Sequence, residues 1–333
     1  MNYQAPLVSV ISPCYNRGNL IEEMIKSILN QTYTNWELLL VDDGSDESTI
    51  QLLRKYTDVD SRIHLIRRTN EKKGACSCRN IGFMASKGDY VIFLDSDDFL
   101  SPVALSQRVD FIEKKNLDFA VFIGFVYQEV IVGKLIQKKE KDIARILLKL
   151  EPYCIPGAVM IKKTSLVNSN ILWDENIKSF QDIDFFLSLS LRCVNYDTAD
   201  GLPPDFFWRK HKMGNIGDKL TSIKHIESHQ YLYKKMYAVI VSNDEWFKKY
   251  GPDLRLWGGK LLIIYFGNGD YKVSEALFEA LRTVDNIYST INISFFRWCA
   301  KNYCKHKLIV RTALYLIYPN IFGIPPKRRI FKK

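Results

Sequence analysis

Three carboxylates fall within four residues, at Asp95, Asp97 and Asp98, directly after the unbroken apolar run Tyr90 to Leu94. Such a run suits a central strand buried on both faces, so the acids sit on a turn at its carboxyl end. Ser101 and Pro102 follow and predict a helix start, with proline at the first helical position. Carboxylates this crowded repel one another unless a cation neutralises them. Hard oxygen donors suit Mg²⁺ or Mn²⁺. Mg²⁺ takes one or two protein carboxylates and completes its shell with phosphate oxygens and water. The bland alternative is a solvated acidic turn with a helix cap. The buried strand ahead of the acids raises the metal reading above it.

Two further apolar runs end in ligand-capable residues. Leu7 to Ser12 leads into Pro13, Cys14, Tyr15, Asn16 and Arg17, and Trp36 to Val41 leads into Asp42, Asp43, Gly44 and Ser45. On a parallel sheet all three sets share the edge where open α/β sheets bind ligands. A tyrosine ring to stack on a base, a carboxylate for base or ribose and a metal for pyrophosphate together suit a nucleoside diphosphate. No GxGxxG follows the first strand, which disfavours a dinucleotide fold. GxxxxGK[ST] is absent, which excludes a P-loop.

The elements that position these residues follow from hydrophobic spacing. Leu20, Ile21, Met24, Ile25, Ile28 and Leu29 repeat at helical spacing, with Asn19 and Glu22 as a capping box. Helices are predicted from about Glu47 to Tyr56, Ser77 to Ala85, Val103 to Lys114 and Asp182 to Arg192. Short strands are predicted at Ile63 to Ile66, Phe119 to Tyr127 and Ala158 to Ile161. Strands alternating with helices predict an α/β fold with a doubly wound, mostly parallel sheet. From about Gln230 onward the pattern is mostly helix.

At 333 residues the chain holds one large domain plus an appendage. Its net charge of +10 is uneven: residues 1–200 carry 24 Lys and Arg against 27 Asp and Glu, and residues 201–333 carry 23 against 10. The seven cysteines form no disulfide or zinc pattern. Cys14, Cys76, Cys154 and Cys193 lie among apolar or small residues and are expected as core thiols, which fits a reducing cytoplasm. The N-terminus shows no basic-then-apolar signal. No stretch of about 20 uncharged apolar residues predicts a membrane span.

VSVISPCYNR, then NQTYTNWELLLVDDGSDEST, RNIG and GDYVIFLDSDD, in that order, resemble the family 2 glycosyltransferases of GT-A fold over roughly residues 6 to 215. The resemblance implies an inverting transferase that moves one sugar from a nucleoside-diphosphate donor, UDP by expectation, to a hydroxyl of a glycan or lipid-linked acceptor. By the same resemblance Tyr15 and Asp43 contact the base, Arg79 reaches the nucleotide, Asp95 lies near ribose and metal, and Asp97 binds Mn²⁺ or Mg²⁺. Asp42 reads better as a turn residue, and Asn80 as either a helix cap or a functional residue. SFQDIDFFLSL resembles the family's later motif and puts Asp182 at the general-base position, with Gln181 in place of the usual glutamate. Asp184 reads as a first-turn helix acid. FFWRKHKMGNIG resembles the Arg-x-His stretch that follows, so His211 is a candidate metal ligand. The QxxRW of processive synthases is missing. Residues 1–215 are then the catalytic domain, with a nucleotide-binding half at about 1–100 and an acceptor half at about 101–215. A catalytically degenerate nucleotide-sugar-binding protein is the alternative, and a nucleotidyltransferase a more distant one.

Residues 216–333 carry no recognisable motif. After Asp285 there is no acid, while ten Lys and Arg remain. Nucleic-acid binding would need a module that is absent. The expectation is a helical, basic region that docks an otherwise cytoplasmic enzyme on the inner face of an anionic membrane. Trp298, Tyr303, Tyr315, Tyr318 and Phe322 would sit at the headgroups, with Lys301, Lys305, Lys307, Lys327, Arg328, Arg329, Lys332 and Lys333 on lipid phosphates. The sequence sets no oligomeric state.

Overall fold

The computed structural model describes residues 5–69, 71–134, 141–150, 154–210, 223–267, 271–303 and 305–322. The chain divides into two compact units. One comprises Met1–Leu147, Pro152–Glu175 and Gln181–Asn215, the other Leu148–Glu151, Asn176–Phe180 and Ile216–Lys333.

The first unit runs β1 (Val8–Cys14), α1 (Gly18–Leu29), β2 (Trp36–Asp42), α2 (Glu47–Val59), β3 (Ile63–Arg67), α3 (Ala75–Ala85), β4 (Tyr90–Phe93), β5 (Phe99–Leu100) and α4 (Ala104–Lys115). It continues with β6 (Phe119–Val121), β7 (Gly124–Gln128), β8 (Val130–Lys134), α5 (Ile143–Leu148), β9 (Val159–Lys162), α6 (Lys163–Asn168), α7 (Gln181–Arg192), β10 (Tyr196–Thr198) and β11 (Phe206–Arg209). A seven-stranded sheet has the order β10-β6-β9-β4-β1-β2-β3. Every pairing in it is parallel except those of β9, which runs antiparallel to both neighbours. Val10, Leu38, Leu40 and Ile92 are buried in one core with Ile21 and Ile25 of α1. The apolar strand runs exist because helices cover both faces. A four-stranded sheet, β5-β11-β7-β8, completes the unit.

The structure corrects several sequence expectations. Ser101 and Pro102 do not open a helix. Phe99 and Leu100 pair with Phe207 and Phe206 of β11, Ser101 N–H donates to Asp205 at 2.8 Å, and α4 begins only at Ala104. The acids are thus followed by a strand, set by a partner more than a hundred residues away. Helix α1 starts at Gly18, with Arg17 at its N-cap and no side-chain cap. Glu22 accepts instead from the Tyr56 hydroxyl at 2.9 Å and pairs with Lys26. The run Phe119 to Tyr127 is two strands in two sheets, because Phe122 N–H turns to the Ala158 carbonyl. Asn80 is no cap. Its amide exchanges two 2.9 Å hydrogen bonds with the backbone of Trp173.

The second unit is helical: α8 (Ile223–Val241), α9 (Asp244–Gly267), α10 (Tyr271–Val284), α11 (Ile293–Asn302), α12 (Lys307–Ile317) and α13 (Pro319–Phe322). Tyr233, Trp257, Phe278 and Phe296 are fully buried, and Phe278 stacks on Phe296 with ring centroids 4.0 Å apart. Buried His229 is held by the Tyr265 hydroxyl at 2.8 Å and the Ser179 hydroxyl at 2.7 Å. Tyr303 and Phe322 are buried in this core, which removes them from the expected headgroup belt, whereas Trp298 is exposed. Lys327 to Lys333 lie outside the described residues. Among the described residues no helix is long and apolar enough to cross a membrane.

Candidate active site

The loops after β1 and β2 are stitched together. Asp43 N–H donates to the Cys14 carbonyl at 2.8 Å, Asn16 N–H to the Ser45 hydroxyl at 3.1 Å, and Asp46 N–H to the Asn16 side-chain carbonyl at 2.8 Å. Asn16 accordingly takes a left-handed conformation, φ +47°, which asparagine tolerates better than most residues. This turn leaves the Tyr15 ring 57% exposed. Asp42 is buried and accepts from Gly44 and Ser45 N–H, the expected turn role. Asp43 accepts from Arg68 Nε at 2.5 Å and from Gly74 N–H at 2.9 Å, which ties the loop after β3 to the same edge. Those two bonds leave acceptor capacity on its carboxylate.

The acid cluster closes the next strand on that edge. Asp95 accepts from an Arg79 amine at 2.6 Å. The Arg79 guanidinium is nearly buried and lies 4.3 Å from the centre of the Trp173 ring. Trp173 in turn stacks on Phe185 of α7 at 4.1 Å. Asp97 lies 3.7 Å from Arg17. Asp98 is buried and accepts from Arg209 N–H at 2.8 Å. Burial first, then Asp97 and Asp95, raises its pKa well above the usual carboxylate range. Arg209 Nε donates to the Asp97 carbonyl at 2.8 Å, and the other side of its guanidinium pairs with Glu23 of α1.

Asp182 stands in the first turn of α7, partly buried, and accepts from Ile183 N–H at 3.0 Å. Burial raises its pKa. The Ile183 N–H and the charge of Arg79 pull it down, and Asp95 pushes it up. These mutual effects put Asp182, Arg79 and Asp95 in one electrostatic neighbourhood. His211 lies outside the described residues.

Among the described residues no group of three or more His, Cys, Asp or Glu side chains is arranged to hold a metal. Asp95 and Asp97 offer hard oxygen donors. That set fits a divalent cation that completes its shell from phosphate and water. Sequence reasoning singled out Arg17 with the first strand end but missed Arg68, Trp173 and Arg209. Only Arg209 carried a signal, as the arginine of FFWRK.

The two-sheet architecture is a GT-A fold. It is similar to the crystal structure of S. aureus TarS 1-349 in complex with UDP-GlcNAc, with a TM-score of 0.69 at 19% identity, covering 93% of this chain and 91% of that one. Residues 9–168 match the model described as glycosyl transferase family 2. An uncharacterized glycosyltransferase of Haemophilus influenzae is 40% identical over 112 residues, 34% of this chain and 44% of that protein. The Escherichia coli UDP-Glc:alpha-D-GlcNAc-diphosphoundecaprenol beta-1,3-glucosyltransferase WfgD is 35% identical over 162 residues, 48% of this chain and 62% of that protein. The chain spans about half the length of the curated relatives it matches.

Proposed function

We propose that this protein is an inverting glycosyltransferase that moves one sugar from a UDP-sugar to a hydroxyl of a glycan or lipid-linked acceptor. The observation that carries the reading is the convergence of Tyr15, Asp43, Asp95 and Asp97 on one sheet edge, with Asp182 coupled through Arg79 to Asp95. Exposed Tyr15 stacks on the base, and Asp43 takes a polar group of base or ribose. Arg79 holds Asp95 on the donor side. Asp95 and Asp97 would hold Mn²⁺ or Mg²⁺, with His211 a further candidate ligand. The ion would supply Lewis-acid stabilisation of the departing diphosphate.

Asp182 takes the proton from the acceptor hydroxyl as its oxygen attacks the anomeric carbon opposite the diphosphate. The bond to the diphosphate breaks and the configuration inverts. A raised pKa moves the base toward neutral pH, where proton abstraction has more driving force. The lipid-linked acceptor class is supported by the acceptor in the name of WfgD. The six described cysteines are buried and free, which suits a reducing compartment, and we place the reaction in the cytoplasm.

Incubation with a panel of nucleotide sugars, Mn²⁺ and lipid-diphosphate-linked acceptors tests the reading. Release of free UDP from one donor, abolished by EDTA, is the expected result. Tight UDP binding without turnover on any acceptor would overturn it in favour of a degenerate binding protein.

A further inference from the structure

The four-stranded sheet has two unlike faces. Leu100 and Phe206 are buried in the core. Their neighbours in sequence point the other way, since successive strand residues alternate. There Phe207 pairs in register with Phe99 and Phe125, and Arg209 with Tyr127. Phe99 and Phe207 stack with centroids 4.6 Å apart and planes 8° from parallel. Tyr127 meets Phe99 edge-on at 5.1 Å, and Phe125 lies 5.6 Å from Phe207. The Arg209 guanidinium sits 5.1 Å from the Tyr127 ring centre and 5.5 Å from that of Phe99.

None of these five residues is fully buried. The Tyr127 hydroxyl makes no hydrogen bond to a described residue. The face begins one residue after Asp98. Arg209 bolts it to the acid loop through its bonds to the Asp98 carboxylate and the Asp97 carbonyl.

A half-open aromatic surface with a fixed guanidinium and a spare phenol, next to the acids assigned to sugar transfer, selects one ligand chemistry. A pyranose ring presents a flat patch of weakly positive C–H groups, which complements the negative faces of aromatic rings. Its hydroxyls project from the rim, where a phenol and a guanidinium can bond them. A purely apolar guest would leave the Tyr127 phenol without a partner. We propose that this face of the small sheet, built on Phe99, Phe125, Tyr127, Phe207 and Arg209, binds a pyranose of the acceptor glycan. The proposal rests on the glycosyltransferase reading above.

Saturation-transfer NMR on the full chain with UDP and diamagnetic Mg²⁺ tests it. The probes are methyl glucoside, galactoside, mannoside, N-acetylglucosaminide and N-acetylgalactosaminide, with decyl phosphate as the lipid-phosphate comparison. At least one pyranoside should receive saturation, strongest at its ring C–H protons. Phe207→Leu should weaken that pyranoside about tenfold and Tyr127→Phe about threefold, in each case more than it changes UDP affinity. Tyr127→Phe keeps the test decisive if Phe207→Leu does not fold. Absence of transfer to every pyranoside overturns the proposal. So does preference for decyl phosphate, wild-type affinity in both variants, or a loss of UDP affinity as large as the pyranoside loss, which would mean the rings only brace the acid loop. Failure of the underlying reading is separate and is read from the donor panel: the wild type would then release no UDP from any nucleotide sugar, whatever it does with pyranosides.

Discussion

At Asp182, burial and one arginine pull in opposite directions. Burial disfavours the carboxylate, Arg79 and the Ile183 N–H favour it, and the net effect is a raised pKa. As pH falls through that value the base is protonated and the rate drops. The acid limb of the kcat/KM profile should therefore lie above the ordinary aspartate value of about 4. A limb at or below that value would count against Asp182 as the base. The same shift means that the stability Asp182 contributes is fully present below its unfolded pKa and is lost as pH rises through its folded pKa. Asp182→Asn should keep UDP affinity by calorimetry and lose ~10²–10⁴-fold in turnover. Asp97→Ala should abolish metal-dependent UDP binding, and wild-type affinity with Mn²⁺ would remove it from the metal site. Tyr15, Asp43, Asp95 and Asp97 were legible because each follows an apolar run that marks a strand end. Arg68 and Trp173 were not, because a cation or ring that meets its partner across a fold leaves no local period in the sequence.

Helix α3 carries Arg79, and its distance from the sheet is set by Gly82. A Cβ there would lie 2.3 Å from Ile11 Cγ2 and 3.2 Å from Val41 Cγ2, atoms of fully buried residues on β1 and β2. Gly82→Ala must push α3 outward and carry Arg79 away from Asp95. The expected cost is about 1–3 kcal/mol in denaturant unfolding, accompanied by weaker UDP binding. Unchanged stability would show that α3 can slide without strain. The alternation of strands and helices made α3 and the parallel core readable. The small sheet was not readable. Phe99–Leu100 is two residues long, and β7 and β11 pair in parallel across roughly eighty residues of chain. Strands that short owe their conformation to their partners rather than to their own propensity.

Across the whole molecule, charge is segregated by sequence. Residues 1–200 are close to neutral, and the basic excess lies in residues 201–333. The structure changes the balance of forces expected for membrane docking. Burial of Tyr303 and Phe322 leaves Trp298, 44% exposed, as the main aromatic of the expected belt, with Tyr315 and Tyr318 partly covered. Lys301, Lys305 and Lys307 remain exposed. Each cation near an anionic surface is worth about 1 kcal/mol and acts only within a Debye length, so docking should be driven by charge rather than by insertion. Sedimentation with phosphatidylglycerol vesicles should pull down the full chain at low salt and release it at high salt, and phosphatidylcholine vesicles should not bind. Replacing Lys301, Lys305 and Lys307 by glutamate should reduce binding far more than Trp298→Ala does. Indifference to anionic vesicles at low salt would rule the docking out. Binding that survives high salt but is lost in Trp298→Ala would instead assign it to apolar insertion.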